Sequence, residues 1–93
     1  MPSTFVMIAD IQPGTEHAFQ RYESLVLPLL ARHGGRLERR LRTHDALTEV
    51  HIVSFETQAG YESYLADDER QTHRGMLVEG SITQRMLAVQ DVT

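Results

Sequence analysis

The chain has 93 residues, a length typical of one domain, and we expect that domain to span residues 1–93. A net charge of −4 argues against a nucleic-acid-binding protein, and the absence of cysteine excludes disulfide frameworks and thiolate nucleophiles. No apolar run approaches the ~20 residues of a membrane span. We therefore expect a cytoplasmic protein without nucleic-acid or membrane partners.

Missing residue types and motifs narrow the chemistry further. The sequence contains no lysine, so Schiff-base chemistry and attachment of pyridoxal phosphate are excluded. It also lacks the glycine-rich motifs of nucleotide-binding proteins. We expect no cofactor, and the candidate acids and bases are the histidines, tyrosines and carboxylates.

The first half of the chain predicts a strand followed by a long helix. Residues 4–11 are apolar on both strand faces, which is typical of a strand buried on two sides. A helix over residues 15–33 follows, with a bend at Pro28. Its core-facing stripe carries Phe19, Tyr22, Val26, Leu29 and His33. Its solvated stripe carries Glu16, Gln20 and Glu23.

A hairpin follows the first helix, which Gly34 closes in a left-handed conformation. Strand two covers residues 37–42, with Leu37, Leu41 and the stem of Arg39 facing inward. A loop over residues 44–47 leads into strand three, over residues 49–55.

The last third predicts a second helical region and a final strand. Thr57 is the expected N-cap of a helix that carries Tyr61, Tyr64 and Leu65. The acidic residues 67–69 restart a helix that ends near Gly80. The final strand, residues 83–92, places Met86 and Ala88 on one face and Leu87 and Val89 on the other.

The order strand, helix, strand, strand, helix, strand predicts an α+β, ferredoxin-like fold with a four-stranded antiparallel sheet. Right-handed crossovers place both helices on one face of that sheet. Apolar side chains are nevertheless available on both faces, from Val6, Ile8, Val53, Phe55, Leu87 and Val89. Because a large exposed apolar face normally marks an interface, the sequence predicts a homodimer formed sheet to sheet.

The helix end Ala31-Arg32-His33-Gly34-Gly35-Arg36 and the segment Phe55-Glu56-Thr57 resemble the dimeric α/β-barrel superfamily. The nearest likeness is to a small family of undefined role with a similar His-Gly-Gly-Arg turn. The resemblance implies two copies that share an eight-stranded barrel, often with a pocket in each subunit between sheet and helices. Other branches include antibiotic-biosynthesis monooxygenases, haem-degrading enzymes, lactone isomerases and dye-decolourising relatives.

The oxygenase branches of this superfamily fit the sequence poorly. Their cofactor-free and haem-degrading members rely on asparagine and tryptophan in the pocket, and this sequence contains neither. No family motif is therefore carried over residue by residue.

Histidines supply the first candidate site residues. His33 is either a base or a cationic cap at the helix end, and we favour the cap. A four-residue hairpin loop would pair Arg40 with His51 and Arg42 with Glu49 on one side of the sheet. This patch is either cross-strand charge pairing, which we favour, or an anion-binding site. No ligand spacing supports a metal site, so none is expected.

The aromatic residues of the two helices supply the remaining candidates. Tyr22, Tyr61, Tyr64 and His73 are interpreted first as core residues with polar tips. If a pocket lies between helices and sheet, the three tyrosines are the groups expected to bind a ligand, together with Arg40 and His51. His73 would then be the catalytic base.

Three functional hypotheses follow from these patterns. The preferred one is a homodimer that binds a small, partly apolar or anionic metabolite between sheet and helices. The alternative is a cofactor-independent isomerase or monooxygenase that acts on an aromatic or polyketide-like substrate with a histidine base. The third is a structural dimer without a ligand.

Overall fold

The computed structural model describes residues 2–93 and contains a four-stranded antiparallel sheet with strand order β2-β3-β1-β4. The strands are β1 (Ser3–Ile11), β2 (Gly35–Arg42), β3 (Thr48–Phe55) and β4 (Ile82–Val89). The helices are α1 (Glu16–Val26), a 3₁₀ helix (Leu27–His33), α2 (Gln58–Leu65) and α3 (Asp68–Arg74). The predicted ferredoxin-like α+β fold is confirmed.

Alternation along β1 and β3 divides the sheet into two faces. The face under the helices holds the buried side chains of Phe5, Met7, Ala9 and Ile11 from β1 and Glu49, His51, Val53 and Phe55 from β3. Phe5 and Phe55 pack with Tyr22, Val26 and Tyr64 in the main core cluster. The helices therefore cover one face of the sheet and bury its apolar and polar residues together.

The opposite face of the sheet is not covered by any element of the described chain. It carries the half-buried side chains of Val6, Ile8, Val50 and Ile52. Leu41, Leu87 and Val89 flank them and are 40–43% exposed. This confirms that apolar side chains occupy both faces of the sheet.

The first helical segment differs from the prediction of one bent helix over residues 15–33. The α-helix ends at Val26, and a 3₁₀ helix continues to His33, with Pro28 in its first turn. Proline has no amide hydrogen to donate. That loss is tolerated in the first turn of a helix, because the amides there have no carbonyl partner within the helix. Gly34 then closes the segment at a φ of 69°, as predicted.

Glu23 was predicted on the solvated stripe of this helix, and that prediction is wrong, since the residue is only 4% exposed. The reason lies outside the helix. α3 packs against α1, so the stripe expected to face water faces a second helix instead.

Strand β2 contains a bulge between Leu37 and Arg39. Leu37 pairs with Val53 on the covered side, whereas Arg39 and Leu41 pair with residues of the opposite face. The prediction that all three face inward is therefore wrong, because a bulge shifts the alternation by one residue. Beyond it, the predicted pairs Arg40 with His51 and Arg42 with Glu49 are confirmed.

Side-chain caps begin both later helices. The cap at Thr57 was predicted, and the predicted start of a helix at residues 67–69 is confirmed with Asp67 as its cap. Thr57 Oγ1 accepts a hydrogen bond from the amide of Gly60 at 3.0 Å, and Asp67 Oδ1 accepts one from the amide of Arg70 at 3.0 Å. Two predicted ends are wrong. α3 ends at Arg74 rather than near Gly80, because hydrogen-bonded turns follow it, and β4 ends at Val89, where its pairing with β1 stops.

Candidate functional site

A narrow cavity lies between the covered face of the sheet and the helices. This inner pocket has a volume of about 40 Å³. It continues into a wider outer groove of about 390 Å³ between α3 and β4. The two share the lining residues Met7, Tyr61, Arg70, Gln84 and Met86. Together they form one site with a small buried end and an open end.

Glu49 is the centre of a charged cluster behind the inner pocket. Its side chain is fully buried and accepts hydrogen bonds from Arg40 Nε at 2.9 Å and Arg42 Nε at 2.8 Å. Burial acts to raise the pKa of Glu49, but hydrogen bonds from Arg40, His51 and Arg42 outweigh it and hold the pKa at about 2. Glu49 is therefore an ionised carboxylate at neutral pH.

His51 lines the inner pocket, and Glu49 fixes its orientation. The Nε2 atom of His51 lies 2.8 Å from Glu49 Oε1. Because an ionised carboxylate can only accept, Nε2 carries the proton of this hydrogen bond. Burial lowers the pKa of His51, although the hydrogen bond to Glu49 opposes that shift. The neutral ring therefore presents an unprotonated Nδ1 on its other side.

That other side faces Glu23, which sequence reasoning missed as a site residue. Glu23 Oε2 lies 3.8 Å from His51 Nδ1, too far for a direct hydrogen bond. Burial raises the pKa of Glu23 to about 7, with Glu49 adding to the rise and Arg40 opposing it. The pocket therefore contains a carboxyl group that exchanges its proton near neutral pH.

The polar lining of the inner pocket also includes Tyr22, Tyr64 and Arg70. The Tyr64 hydroxyl donates to the carbonyl oxygen of Val26 at 3.5 Å, and burial raises the pKa of Tyr64 to about 12. The guanidinium carbon of Arg70 lies 4.9 Å from the centre of the Tyr64 ring. The Tyr22 hydroxyl and the Arg70 Nε atom are buried and have no hydrogen-bond partner among the described residues.

The outer groove is rich in arginine. Arg70 and Arg74 line it from α3, Arg85 borders it from the edge strand β4, where it pairs with Ile8 of the uncovered face, and no carboxylate is among the described lining residues. Within residues 2–93, none of the three arginines forms a salt bridge. In a chain of net charge −4, this leaves a local positive surface at the open end of the site.

The structure brings most of the predicted site residues together. Tyr22, Tyr61, Tyr64 and His51 all line the inner pocket. Arg40 does not line the pocket. It donates a hydrogen bond to Glu49, which in turn accepts one from the pocket residue His51.

His73, the predicted catalytic base, lines neither the inner pocket nor the outer groove. It lies on α3 beside Glu69, with 3.5 Å between His73 Nε2 and Glu69 Oε2. Among the charged residues of α3, Arg70 and Arg74 line the outer groove instead. The structure therefore does not bring His73 to the tyrosines.

His33 joins the 3₁₀ helix to α2 and α3. Its Nδ1 atom lies 2.6 Å from Ser63 Oγ, and its Nε2 atom lies 2.8 Å from Asp67 Oδ2. The hydrogen bond from His33 is the main reason that the pKa of Asp67 falls to about 2. Both ring nitrogens are engaged with side chains, so His33 connects helices in addition to its place in the last helical turn.

Little in the sequence identifies Glu23 and Arg70 as residues of the site. A glutamate in an amphipathic helix normally faces water, and Arg70 follows an N-cap in an acidic, polar segment. The adjacency of Glu23 to the predicted core residue Tyr22 was the available hint. Within residues 2–93, no three side chains of histidine or acidic residues form a group that could hold a metal ion.

Comparisons with known proteins identify the fold. No family model matches the chain, and no curated protein matches its sequence. Solved structures do match it. SnoaB, a cofactor-independent oxygenase from Streptomyces nogalater, has a TM-score of 0.80 at 19% identity, over 99% of this chain and 94% of that chain.

Two further solved structures match over nearly their whole length. Rv0793 from Mycobacterium tuberculosis has a TM-score of 0.72 at 16% identity, over 99% of this chain and 98% of that chain. PA3566 from Pseudomonas aeruginosa has a TM-score of 0.69 at 14% identity, over 97% of this chain and 95% of that chain. At these identities the likeness is one of fold. The chain shares with these structures the ferredoxin-like α+β fold that the sequence predicted.

Within residues 2–93, no helix combines the length and the apolar character needed to cross a bilayer.

Proposed function

We propose that the protein binds a small metabolite with an apolar body and an anionic group, lying across the inner pocket and the outer groove. The observation that carries the proposal is the Tyr22 hydroxyl, which is buried beside the cavity without a partner among the described residues. A buried polar group left unpaired costs about 1–3 kcal/mol. A ligand oxygen that accepts from Tyr22 would remove that cost.

The shape of the site supports a ligand with two different ends. The inner pocket is about 40 Å³, roughly three times the volume that a single water needs. It suits a small head group such as a carbonyl. The ligand body would lie against Tyr61, Met7 and Met86 at the junction with the groove.

The charge of the outer groove supports an anionic end. Arg70 and Arg74 of α3 line it without a salt bridge to any described carboxylate. Guanidinium groups bind carboxylates and phosphates through paired hydrogen bonds. Arg40, in contrast, is already paired with Glu49, which favours its interpretation as a structural residue.

The functional unit that we propose is a homodimer formed through the uncovered sheet face. Val6, Ile8, Val50 and Ile52 form an apolar centre on that face, and Leu41, Leu87 and Val89 extend it. A soluble monomer rarely exposes so much contiguous apolar surface. A second copy of the same face would bury it, as the dimeric superfamily resemblance implies.

Phenylpyruvate is a suitable first probe because it combines an aromatic ring, a carbonyl and a carboxylate. The methyl groups of Met7 and Met86 line both parts of the site and serve as NMR reporters, with Met76 outside the site as an internal control. We expect saturable shifts of the Met7 and Met86 signals only. Phenylacetone lacks the carboxylate and should bind more weakly.

Two variants test the polar anchors of this site. Tyr22→Phe and Arg74→Gln should each weaken phenylpyruvate binding, whereas Arg36→Gln, an exposed residue on β2, should not. Saturable binding that is equal in all three variants would contradict the assignment of the site. An absence of any shift in the wild-type protein would contradict the proposed function itself.

A further inference from the structure

We infer that Glu23 is a catalytic acid–base group of the pocket, that His51 and Glu49 position and support it, and that the protein catalyses proton transfer at a carbon next to a carbonyl. This inference rests on the proposed function, since it requires a ligand in the inner pocket. It assigns the base to Glu23 rather than to His73. It also favours the isomerase over the monooxygenase among the enzyme alternatives.

The geometry places Glu23 where a ligand can reach it. Its side chain is 6% exposed, yet it lines the inner pocket together with Tyr22 and His51. Carboxylates are strong bases only where water is excluded, and an apolar lining that includes Val26 and Phe55 provides such surroundings. Glu23 therefore combines burial with access to the cavity.

His51 is fixed so that its basic nitrogen faces Glu23. Glu49 accepts from Nε2, which leaves the lone pair of Nδ1 directed toward Glu23 Oε2 at 3.8 Å. Because burial raises the pKa of Glu23 and lowers that of His51, a proton taken up by this pair stays on Glu23. After a small movement of either side chain, the protonated Glu23 can donate a hydrogen bond to Nδ1, which holds the carboxyl group in place.

Charged groups from three elements set the proton affinity of Glu23. β3 contributes His51 and the negative Glu49, and β2 contributes the positive Arg40. α3 contributes Arg70 and Arg74 on the other side. Burial and Glu49 raise the pKa of Glu23, the three arginines lower it, and the resulting value is about 7. The carboxyl group can therefore both accept and return a proton near neutral pH.

The reaction balances without an oxidant, a reductant or a cofactor. The Glu23 carboxylate takes a proton from the carbon beside the ligand carbonyl, and the C–H electrons form a carbon–carbon double bond. The carbonyl π electrons move to the oxygen, which accepts a hydrogen bond from the Tyr22 hydroxyl. Return of the proton from Glu23 to carbon or oxygen completes an isomerisation or an enolisation.

Hydrogen–deuterium exchange at the methylene group of phenylpyruvate tests the inference. The exchange is followed by proton NMR in deuterated buffer, against the rate without protein. We expect the wild-type protein to accelerate exchange with a pH midpoint near 7, set by Glu23. Glu23→Gln should lower the protein-dependent rate by about 100-fold or more. Glu62→Gln, an exposed glutamate of α2, is the matched control and should retain the rate.

His51→Gln tests the positioning role. The glutamine amide can still donate to Glu49, but the basic Nδ1 atom is lost. We expect kcat to fall while KM and the methionine shifts stay the same, because binding does not require Nδ1. An unchanged kcat in His51→Gln would contradict the positioning role of His51.

The outcomes separate this inference from the proposed function. Binding of phenylpyruvate at Met7 and Met86 without accelerated exchange would overturn the acid–base inference and leave the binding site intact. Exchange that persists in Glu23→Gln would overturn the assignment of the base. If the folded wild-type protein neither binds phenylpyruvate nor accelerates its exchange, both the inference and the proposed function are overturned.

Discussion

Glu49 and His51 lie two residues apart on the covered face of β3, with 2.8 Å between Glu49 Oε1 and His51 Nε2. Strand alternation alone brings the two side chains to the same face. Arg40 and Arg42 hold the Glu49 carboxylate from the neighbouring strand, so Glu49 in turn holds the imidazole. The basic nitrogen of His51 is thereby aimed at the pocket rather than at the sheet edge.

Removal of the central carboxylate should destabilise the fold. Glu49→Gln leaves the partly exposed Arg40 and Arg42 without their buried counter-charge and removes one of the two oxygens that accept their hydrogen bonds, which should cost about 1–3 kcal/mol. Urea unfolding followed by circular dichroism measures the loss. Glu38→Gln breaks the exposed pair with Arg36 and should cost less than about 1 kcal/mol. Similar losses in the two variants would contradict this account of the cluster.

The burial of Glu23 predicts a stability that falls as pH rises. Its pKa is about 7 in the folded protein, above the ordinary value of 4.5, so between these pH values the folded state holds a proton that the unfolded state has released. Relative to Glu23→Gln, the wild-type protein should lose about 3 kcal/mol between pH 4.5 and 7. The difference should stay constant above that window.

Urea unfolding of both proteins at several pH values measures this difference. Glu62→Gln, whose side chain is exposed, controls for loss of a negative charge and should follow the wild-type curve. A constant difference between wild type and Glu23→Gln across the window would show that Glu23 does not titrate there.

The two buried tyrosine hydroxyls should behave differently when removed. Tyr22→Phe deletes a hydroxyl without a partner among the described residues, so stability should be unchanged or rise by about 1 kcal/mol. Tyr64→Phe deletes the donor to the Val26 carbonyl and should lower stability. Thermal unfolding in the absence of ligand compares the pair. A loss in Tyr22→Phe larger than that in Tyr64→Phe would be inconsistent with an unpaired Tyr22 hydroxyl.

The contact between α2 and the 3₁₀ helix should depend on Gly60. A Cβ atom at Gly60 would overlap the carbonyl oxygen of His33, which belongs to the backbone and cannot rotate away. Gly60→Ala should therefore cost about 1–3 kcal/mol in unfolding free energy. Gly75→Ala, at an ordinary φ of −62°, should change stability by less than about 1 kcal/mol.

The uncovered sheet face predicts a dimer that a single charge would disrupt. Ile52 lies at the centre of that face, opposite Val6 in the β1–β3 register. Ile52→Arg should convert the dimer to a monomer, measured by light scattering and native mass spectrometry as a fall from twice 10.6 kDa. Val78→Arg, at a 70% exposed residue outside the sheet, is the control. A wild-type monomer at micromolar concentration would refute the dimer.

Much of the fold could be predicted because its signals are local. The predicted N-cap Thr57 accepts a hydrogen bond from the amide three residues further on, so its role depends on neighbouring sequence alone. The hairpin register between β2 and β3 follows from a short loop and strand alternation, which paired Arg40 with His51 correctly.

The site itself was only half predictable. Tyr22 and His51 were named as pocket residues because their apolar bodies or strand positions place them on the covered face. Glu23 and Arg70 were missed, because their place in the pocket depends on α3 packing against α1. Patterns within α1 carry no information about a helix that lies some forty residues away in the sequence.

The sequence by itself determined the element order, the ferredoxin-like fold and the two apolar sheet faces, since periodicity and turn chemistry act over a few residues. Only the tertiary structure decided that Leu37 and Leu41 face opposite sides, that His33 joins three helices, and that Glu23 is buried beside His51. These features depend on a bulge and on helix packing. The bulge changes the alternation of one strand, and the helix packing joins segments that are distant in the sequence. Together they decide which side chains surround the cavity.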